Sequence, residues 1–263
     1  MGVNAERAEL FPREREPGSP EREPGRSVSL RMRRRQALVG LAAAATLAGC
    51  GSNPARKPNV LYAALGASDA VGVGADPVTS GYVYRIRDGL DERLPSVTLI
   101  NLGVPGAEID RIAESGRVFL QARARPDIVT LWAGANDIIK GRLAGDFEPD
   151  LGNLLARLRA DTEAVLVIAN VPDLTRLPRF AARAEPAVTT ERIAAFNTAI
   201  ARQAARYRVP LVDLFAQPMD PALVSADGFH PSNTGHARIA QLFLDTLLPG
   251  LGLPGVRVAA AVG

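Results

Sequence analysis

An alternation constrains this chain more than any other feature. Five short, mostly apolar runs are separated by longer runs in which apolar residues recur every three or four positions. The short runs are "NVLYAAL" (59–65), "VTLINL" (97–102), "DIVTLWA" (127–133), "AVLVIANV" (164–171) and part of "VPLVDLF" (209–215). Their length and aliphatic content read as strands buried on both faces. Between them, "GYVYRIRDGLDERL" places Val83, Ile86, Leu90 and Leu94 near helical spacing, and "TERIAAFNTAIARQAARY" places Ile193, Phe196 and Ile200 on one face. "AEIDRIAESGRVFLQAR", "DLGNLLARLRA" and "NTGHARIAQLFLDTLL" also read as helices, the last with Ser232 or Asn233 as its N-cap. Strands alternating with helices predict an α/β fold, a mostly parallel five-stranded sheet covered on both faces, with right-handed crossovers. The predicted domain spans residues 59–248, and the tail at 249–263, "PGLGLPGVRVAAAVG", is expected to be loose.

In such sheets the ligand crevice lies outside the carboxyl ends of the strands. The unusual residues of this chain fall there. "GASDAVGVG" with Ser68 follows the first strand and "NLGVPGAEI" with Gly103 the second. "AGANDI" with Asn136 follows the third, and "ADGFHPSNTGH" with Asp227 and His230 lies near the C-terminus. A serine, a histidine, a carboxylate and several amide donors on one sheet edge are the parts of nucleophilic acyl transfer. A serine hydroxyl needs a base, and imidazole titrates close to neutral pH. Asp227, three residues before His230, is within reach of Nδ1, where a carboxylate fixes the tautomer and stabilises the imidazolium. The N–H groups of Ser68 and Gly103 and the side-chain amide of Asn136 are candidate oxyanion donors.

Each residue also has a plainer reading. Ser68 taken alone is a turn residue as readily as a nucleophile, and Asn136 is a candidate Asx-turn former. His236, Asp137 and Trp132 read as structural. The arginines at 176, 179 and 183 lie in a long loop, "PDLTRLPRFAARAEP", that reads as solvated. A phosphate-binding loop is excluded at Ser68, because no G-K-[ST] follows and the glycines do not fit G-x-G-x-x-G.

The four blocks together resemble the SGNH (GDSL-type) hydrolase family. Ser68, Gly103, Asn136 and His230 stand in the family's order, "GAND" resembles its G-x-N-D block and "DGFHPS" its D-x-x-H block. The resemblance implies a flavodoxin-like three-layer α/β/α fold and metal-free esterase or lipase chemistry on a small-molecule ester. Lysophospholipids or simple acyl esters are the expected substrates. Removal of acetyl groups from carbohydrate, or binding without turnover on the same fold, are the alternatives. One block departs from the family, for the usual Gly-Asp-Ser-Leu reads Gly66-Ala67-Ser68-Asp69 here. The missing acid is no triad member, but an acid at 69 changes the packing of the nucleophile loop.

Upstream of the domain the composition changes. Residues 1–31 are charged, rich in Pro and Gly and too poor in aliphatics to bury a core. They read as a disordered extension or as sequence upstream of a start at Met32. Residues 32–49 have the layout of an export signal, with a basic Arg33–Arg35 segment, an apolar stretch from Ala37 to about Leu47 and small residues before Cys50. "LAGC" resembles a bacterial lipobox, which implies lipidation of Cys50, with 50–58 as a polar tether and the domain held at a membrane in the cell envelope. Cys50 is the one cysteine, so no intrachain disulfide forms, and with two histidines it leaves little for a metal site. No cofactor is expected. The net charge of +3 comes with arginines clustered at the N-terminus, without a basic stripe interleaved with aromatics, so nucleic acid is not an expected partner. A monomer is expected. Cys50→Ser should move the protein from the membrane to the soluble fraction of cells; a variant still retained on membranes contradicts the anchor.

Overall fold

A computed structural model of the chain describes residues 59–253. The extension, the signal segment, Cys50, the tether and residues 254–263 lie outside the described residues.

The first strand, β1 (Val60–Gly66), runs into a one-turn helix, α1 (Ser68–Val71), and then α2 (Tyr82–Asp91). Next come β2 (Val97–Gly103), α3 (Ile109–Gln121), β3 (Ile128–Trp132) and the short α4 (Ala135–Ile139). They are followed by α5 (Ala144–Asp161), β4 (Val165–Ala169), α6 (Pro178–Ala182) and α7 (Thr190–Arg206). β5 (Leu211–Val212) and α8 (Asn233–Gly250) complete the order. The five strands form one sheet in the order β2-β1-β3-β4-β5, and every pair is parallel. The chain leaves β1 toward one edge to make β2, then returns past it to build β3, β4 and β5. The switch point lies between β1 and β3, where a crevice opens at the carboxyl ends.

Side chains of alternate sign along each strand feed two separate cores. Ala63, Leu65, Val129, Leu131, Leu166 and Ile168 face α3, α5 and α7. Tyr62, Ala64, Ile128, Val167 and Ala169 face α2 and α8. The helices meet the sheet with the apolar faces the periodicity predicted, Val83, Ile86 and Leu90 on α2 and Ile193, Phe196 and Ile200 on α7. Ser232 caps α8 by accepting from the Gly235 N–H at 3.2 Å.

The structure corrects the sequence reading at several boundaries. α5 begins at Ala144 rather than Asp150, so Pro149 lies inside it. Its first turns are anchored by Phe147, which is fully buried with its ring centroid 4.8 Å from that of Phe196. That burial outweighs the backbone hydrogen bond that a proline cannot donate. The arginine-rich loop after β4 is not featureless, since α6 and a 3-10 turn fold there with Leu174, Leu177 and Phe180 buried. α8 runs through Pro249 to Gly250, and Leu251 and Leu253 pack on the core beside α2, so ordered chain extends past the expected end at 248. Among the described residues no helix is long and apolar enough to cross a membrane.

One polar pair is sealed within this core. The Tyr62 hydroxyl lies 2.8 Å from the Thr130 hydroxyl, and both residues are fully buried. Tyr62→Phe should cost about 1–2 kcal/mol, because it leaves Thr130 unpaired in an apolar setting. The double variant Tyr62→Phe/Thr130→Val should cost less than the two single changes added together. Denaturant unfolding of the four proteins checks this, and strict additivity contradicts it.

Candidate active site

β1 is hydrogen-bonded on both edges, so its end is held firmly, and Ser68 follows two residues later as the first residue of α1. Ser68 is buried, and its main-chain N–H is not donated to any group among the described residues. β2 ends level with β1, in register Gly66 to Gly103. A Cβ at Gly103 would lie 3.0 Å from both the Ala67 carbonyl oxygen and the Ala70 Cβ, so a side chain there would push against the serine turn and glycine lets the two strand ends close on it unstrained. Asn136 stands on α4 directly after β3, where one of its amide hydrogens goes to the Ala107 carbonyl at 3.0 Å. The other is left for a ligand.

The last loop carries the remaining groups. Val224 and Pro231 form an antiparallel bridge, and the Ser225 N–H donates to the His230 carbonyl at 2.8 Å. Within this tight loop one oxygen of Asp227 accepts from the Ser225 hydroxyl at 2.9 Å and from the N–H groups of Phe229 and His230 at 2.8 and 2.9 Å. Its second oxygen lies 2.6 Å from His230 Nδ1. On the other side of the ring, Nε2 lies 2.8 Å from Ser68 Oγ. Partial burial pushes the Asp227 carboxyl up, but the hydrogen bonds from His230, Phe229 and Ser225 outweigh it and hold the group well below the usual carboxylate range. An ionised Asp227 keeps the proton on Nδ1. Nε2 is then an acceptor, and the Ser68 hydroxyl donates to it. The arrangement can draw a proton from Ser68 as its oxygen attacks an electrophilic carbon.

The GDSL-like lipase/acylhydrolase family matches residues 64–238, more than half of the chain. The chain belongs to this family. Its fold is likewise similar to solved structures. One, TesA, aligns with a TM-score of 0.60 at 21% identity, over 73% of this chain and 99% of that one. The psychrotrophic esterase EstA from Pseudoalteromonas sp. aligns at 0.58 and 18% identity, over 73% and 98%. A two-domain esterase active on acetylated mannans aligns at 0.58 and 18% identity, over 72% of this chain and 48% of its own. No curated protein sequence matches the chain.

In this GDSL-like chain the predicted Ser68, Asp227 and His230 are brought together, and Asn136 stands at the end of the neighbouring strand. Gly103 differs from expectation. Its N–H donates to the Asn101 side-chain oxygen at 3.0 Å, while the Asn101 amide holds the Ala70 carbonyl at 2.7 Å. The predicted donor is occupied because the Asn101 side chain reaches forward two residues along the strand. To serve an oxyanion, Gly103 has to exchange Asn101 for it. Asp137 is structural, as read. It is fully buried and accepts from the Ile109 N–H at 3.1 Å, tying α4 to the start of α3. Burial pushes its carboxyl up to about 6 against the opposing pull of that N–H and of Arg142. Among the described residues no group of three His, Cys, Asp or Glu side chains is placed to hold a metal ion.

The sequence reading missed one support, Gly74, and gave no partners for another, His236, which it read as structural. Gly74 has φ +94°, and a Cβ there would lie 2.3 Å from the Pro231 carbonyl oxygen and 2.9 Å from the His230 Cβ. The chain from α1 thus presses directly on the loop that carries His230, and only glycine fits. His236 is the second. Fully buried on α8, it accepts from the Tyr82 N–H at Nδ1 (3.1 Å) and faces the Val73 carbonyl with Nε2 (3.0 Å). These partners require the neutral ring with its proton on Nε2. Burial, with smaller contributions from Arg85 and His230, lowers its proton affinity despite the Val73 bond.

The unfolded chain takes up a proton at His236 near pH 6.5, which the folded chain refuses until lower pH. The stability this residue contributes is therefore complete above about pH 6.5 and lost as pH falls. Asp69 and Asp137, both raised to about 6, act in the opposite sense, because the folded chain protonates them first. Comparison with His236→Gln isolates the histidine. The variant should melt below the wild type at pH 7.5, and the gap should narrow by pH 5. A gap independent of pH contradicts a neutral buried ring.

Proposed function

We propose that the protein is an exported serine esterase that cleaves simple carboxylic esters through Ser68, His230 and Asp227. The observation that carries this reading is the unbroken line of contacts from Asp227 through both nitrogens of His230 to the Ser68 hydroxyl. In the proposed reaction Ser68 Oγ bonds to the ester carbonyl carbon while its proton passes to His230 Nε2. Asp227 holds Nδ1–H and stabilises the imidazolium. The Ser68 N–H and the free Asn136 amide hydrogen are the donors for the negative oxygen of the tetrahedral intermediate, joined by Gly103 if Asn101 releases it. Each such donor is worth about 3–4 kcal/mol of barrier. The intermediate collapses by breaking the bond to the alcohol oxygen, which takes the proton from Nε2. Water, deprotonated by the same nitrogen, then frees the acid and restores Ser68.

A cleft of about 100 Å³ beside the serine turn is lined mainly by Trp132, Leu174, Leu177, Leu214, Val224 and Phe229. Its size and apolar lining favour short acyl chains over long ones. The same lining favours simple short-chain esters over lysophospholipids and over acetylated carbohydrate, although one similar structure acts on acetylated mannans. Export and a lipid anchor at Cys50 belong to the same proposal and rest on the signal-like segment ahead of the domain.

A fluorophosphonate probe should label one serine, and peptide mapping should place the adduct on Ser68. Ser68→Ala should abolish turnover of p-nitrophenyl esters, Asn136→Ala should lower kcat by about 10²–10³, and kcat/KM should fall as the acyl chain grows beyond the short members. A folded protein with no adduct on Ser68 overturns the mechanism, and leaves a binding protein on this fold.

A further inference from the structure

The residue after the nucleophile is the feature that the esterase reading leaves unused. Asp69 lines the apolar cleft, and it also lines the smaller depression bounded by Ala67, Ala107 and Asn136 on the oxyanion side. Trp132, Ala135 and Phe229 are common to both, so the two spaces share one wall and Asp69 stands in it. Its carboxylate receives no hydrogen bond from another residue and joins no ion pair among the described residues. A carboxylate set unpaired in an apolar wall is costly unless something charged or hydrogen-bonding comes to it. Here the place it occupies is open to whatever enters the cleft.

Resting on the esterase reading above, we propose that Asp69 is a specificity residue, which selects esters carrying an ammonium group on the part that occupies this cleft. The carboxylate supplies the opposite charge, and the Trp132 indole beside it supplies an aromatic surface of the kind that attracts ammonium ions. Phe229 adds less, because the Arg179 guanidinium already lies 5.4 Å from its ring. The charged groups around Asp69 are few. His230 and Asp227 act on it from the catalytic loop, and the buried Tyr82 phenol senses it from α2. Arg238, on α8, also lines the cleft, but it is exposed and donates to Gln217 at 3.1 Å. Solvent and salt screen such a rim charge. The chemistry common to two kinds of substrate is the cation itself, which enters on the alcohol side of the ester or on the acyl side.

Loss of water around Asp69 is the largest influence on it and pushes its carboxyl up to about 6, against the pull of His230. The selecting charge is therefore present at pH 8 and mostly absent at pH 5. A ratio of rates on matched esters cancels the titration of the catalytic groups and leaves that of Asp69.

Two pairs of substrates test this. The alcohol-side pair is a choline ester and its uncharged 3,3-dimethylbutyl isostere. The acyl-side pair is p-nitrophenyl 4-(trimethylammonio)butanoate and its uncharged isostere p-nitrophenyl 5,5-dimethylhexanoate. In one arm the ratio of kcat/KM, cationic over neutral, should be about tenfold at pH 8 and fall toward one at pH 5. In Asp69→Asn, which keeps the side chain's volume, the ratio should be near one at both pH values. A calorimetric titration with butyltrimethylammonium at pH 8 should show binding to the wild type and none to Asp69→Asn. Ratios at or below one in both arms overturn the inference while leaving the esterase intact, as does a ratio that neither pH nor Asp69→Asn changes. If no ester of either kind is cleaved yet the cation binds in an Asp69-dependent way, the mechanism fails and the cation site stands.

Discussion

The structure depends on the burial of β1. This strand is paired on both edges and packed on both faces, with Tyr62 and Ala64 against one helical layer and Ala63 and Leu65 against the other. A strand so enclosed cannot slip by a residue without exchanging its two apolar faces. The position at which it ends is therefore rigid, and Ser68 inherits that rigidity. β2 and β3, the neighbours of β1, end level with it and bring Gly103 and Asn136 to the same sheet edge as the serine. The reactive edge follows from hydrophobic registration three to six residues upstream of it.

His230 lacks such a strand. β5 is only two residues long, and the chain travels seventeen residues from its end before reaching the histidine. The loop is organised locally instead. Three donors converge on one oxygen of Asp227, which turns the carboxylate into the hub of the turn and leaves its other oxygen for the imidazole. Gly74 and Pro231 hold that turn against the segment that follows α1, and His236 ties the following helix to Val73 and Tyr82. One buried neutral histidine thus supports the setting of His230, six residues earlier. The two rings differ in their partners: His236 is sealed and bonded at both nitrogens within the core, and His230 keeps Nε2 for the Ser68 hydroxyl.

Much of this was legible in the sequence. The strand and helix order, the parallel sheet and the edge carrying the chemistry follow from hydrophobic periodicity, which records how each segment is buried. Asp227 and His230 were legible because their geometry is local, a carboxylate and a ring within one turn of chain. What escaped were features without a period. α5 crosses Pro149 because Phe147 finds Phe196 on a helix about fifty residues away, and the loop after β4 folds because Leu174, Leu177 and Phe180 reach the core. Neither partner is announced by the local sequence.

The sequence by itself determined the alternation, and with it a sheet whose carboxyl edge gathers Ser68, Gly103, Asn136 and His230. It also named the departure at Ala67 and Asp69. Only the tertiary structure decided how those residues are used. It filled the Gly103 N–H with Asn101, and it gave His236, already read as structural, its partners Tyr82 and Val73. It also set the Asp69 carboxylate into the wall of the cleft, unpaired. The physical reason is range. Periodicity and turn chemistry act over a few residues, whereas hydrogen-bond occupancy and the lining of a cavity are set by groups scores of residues apart, which meet only after the two cores have closed.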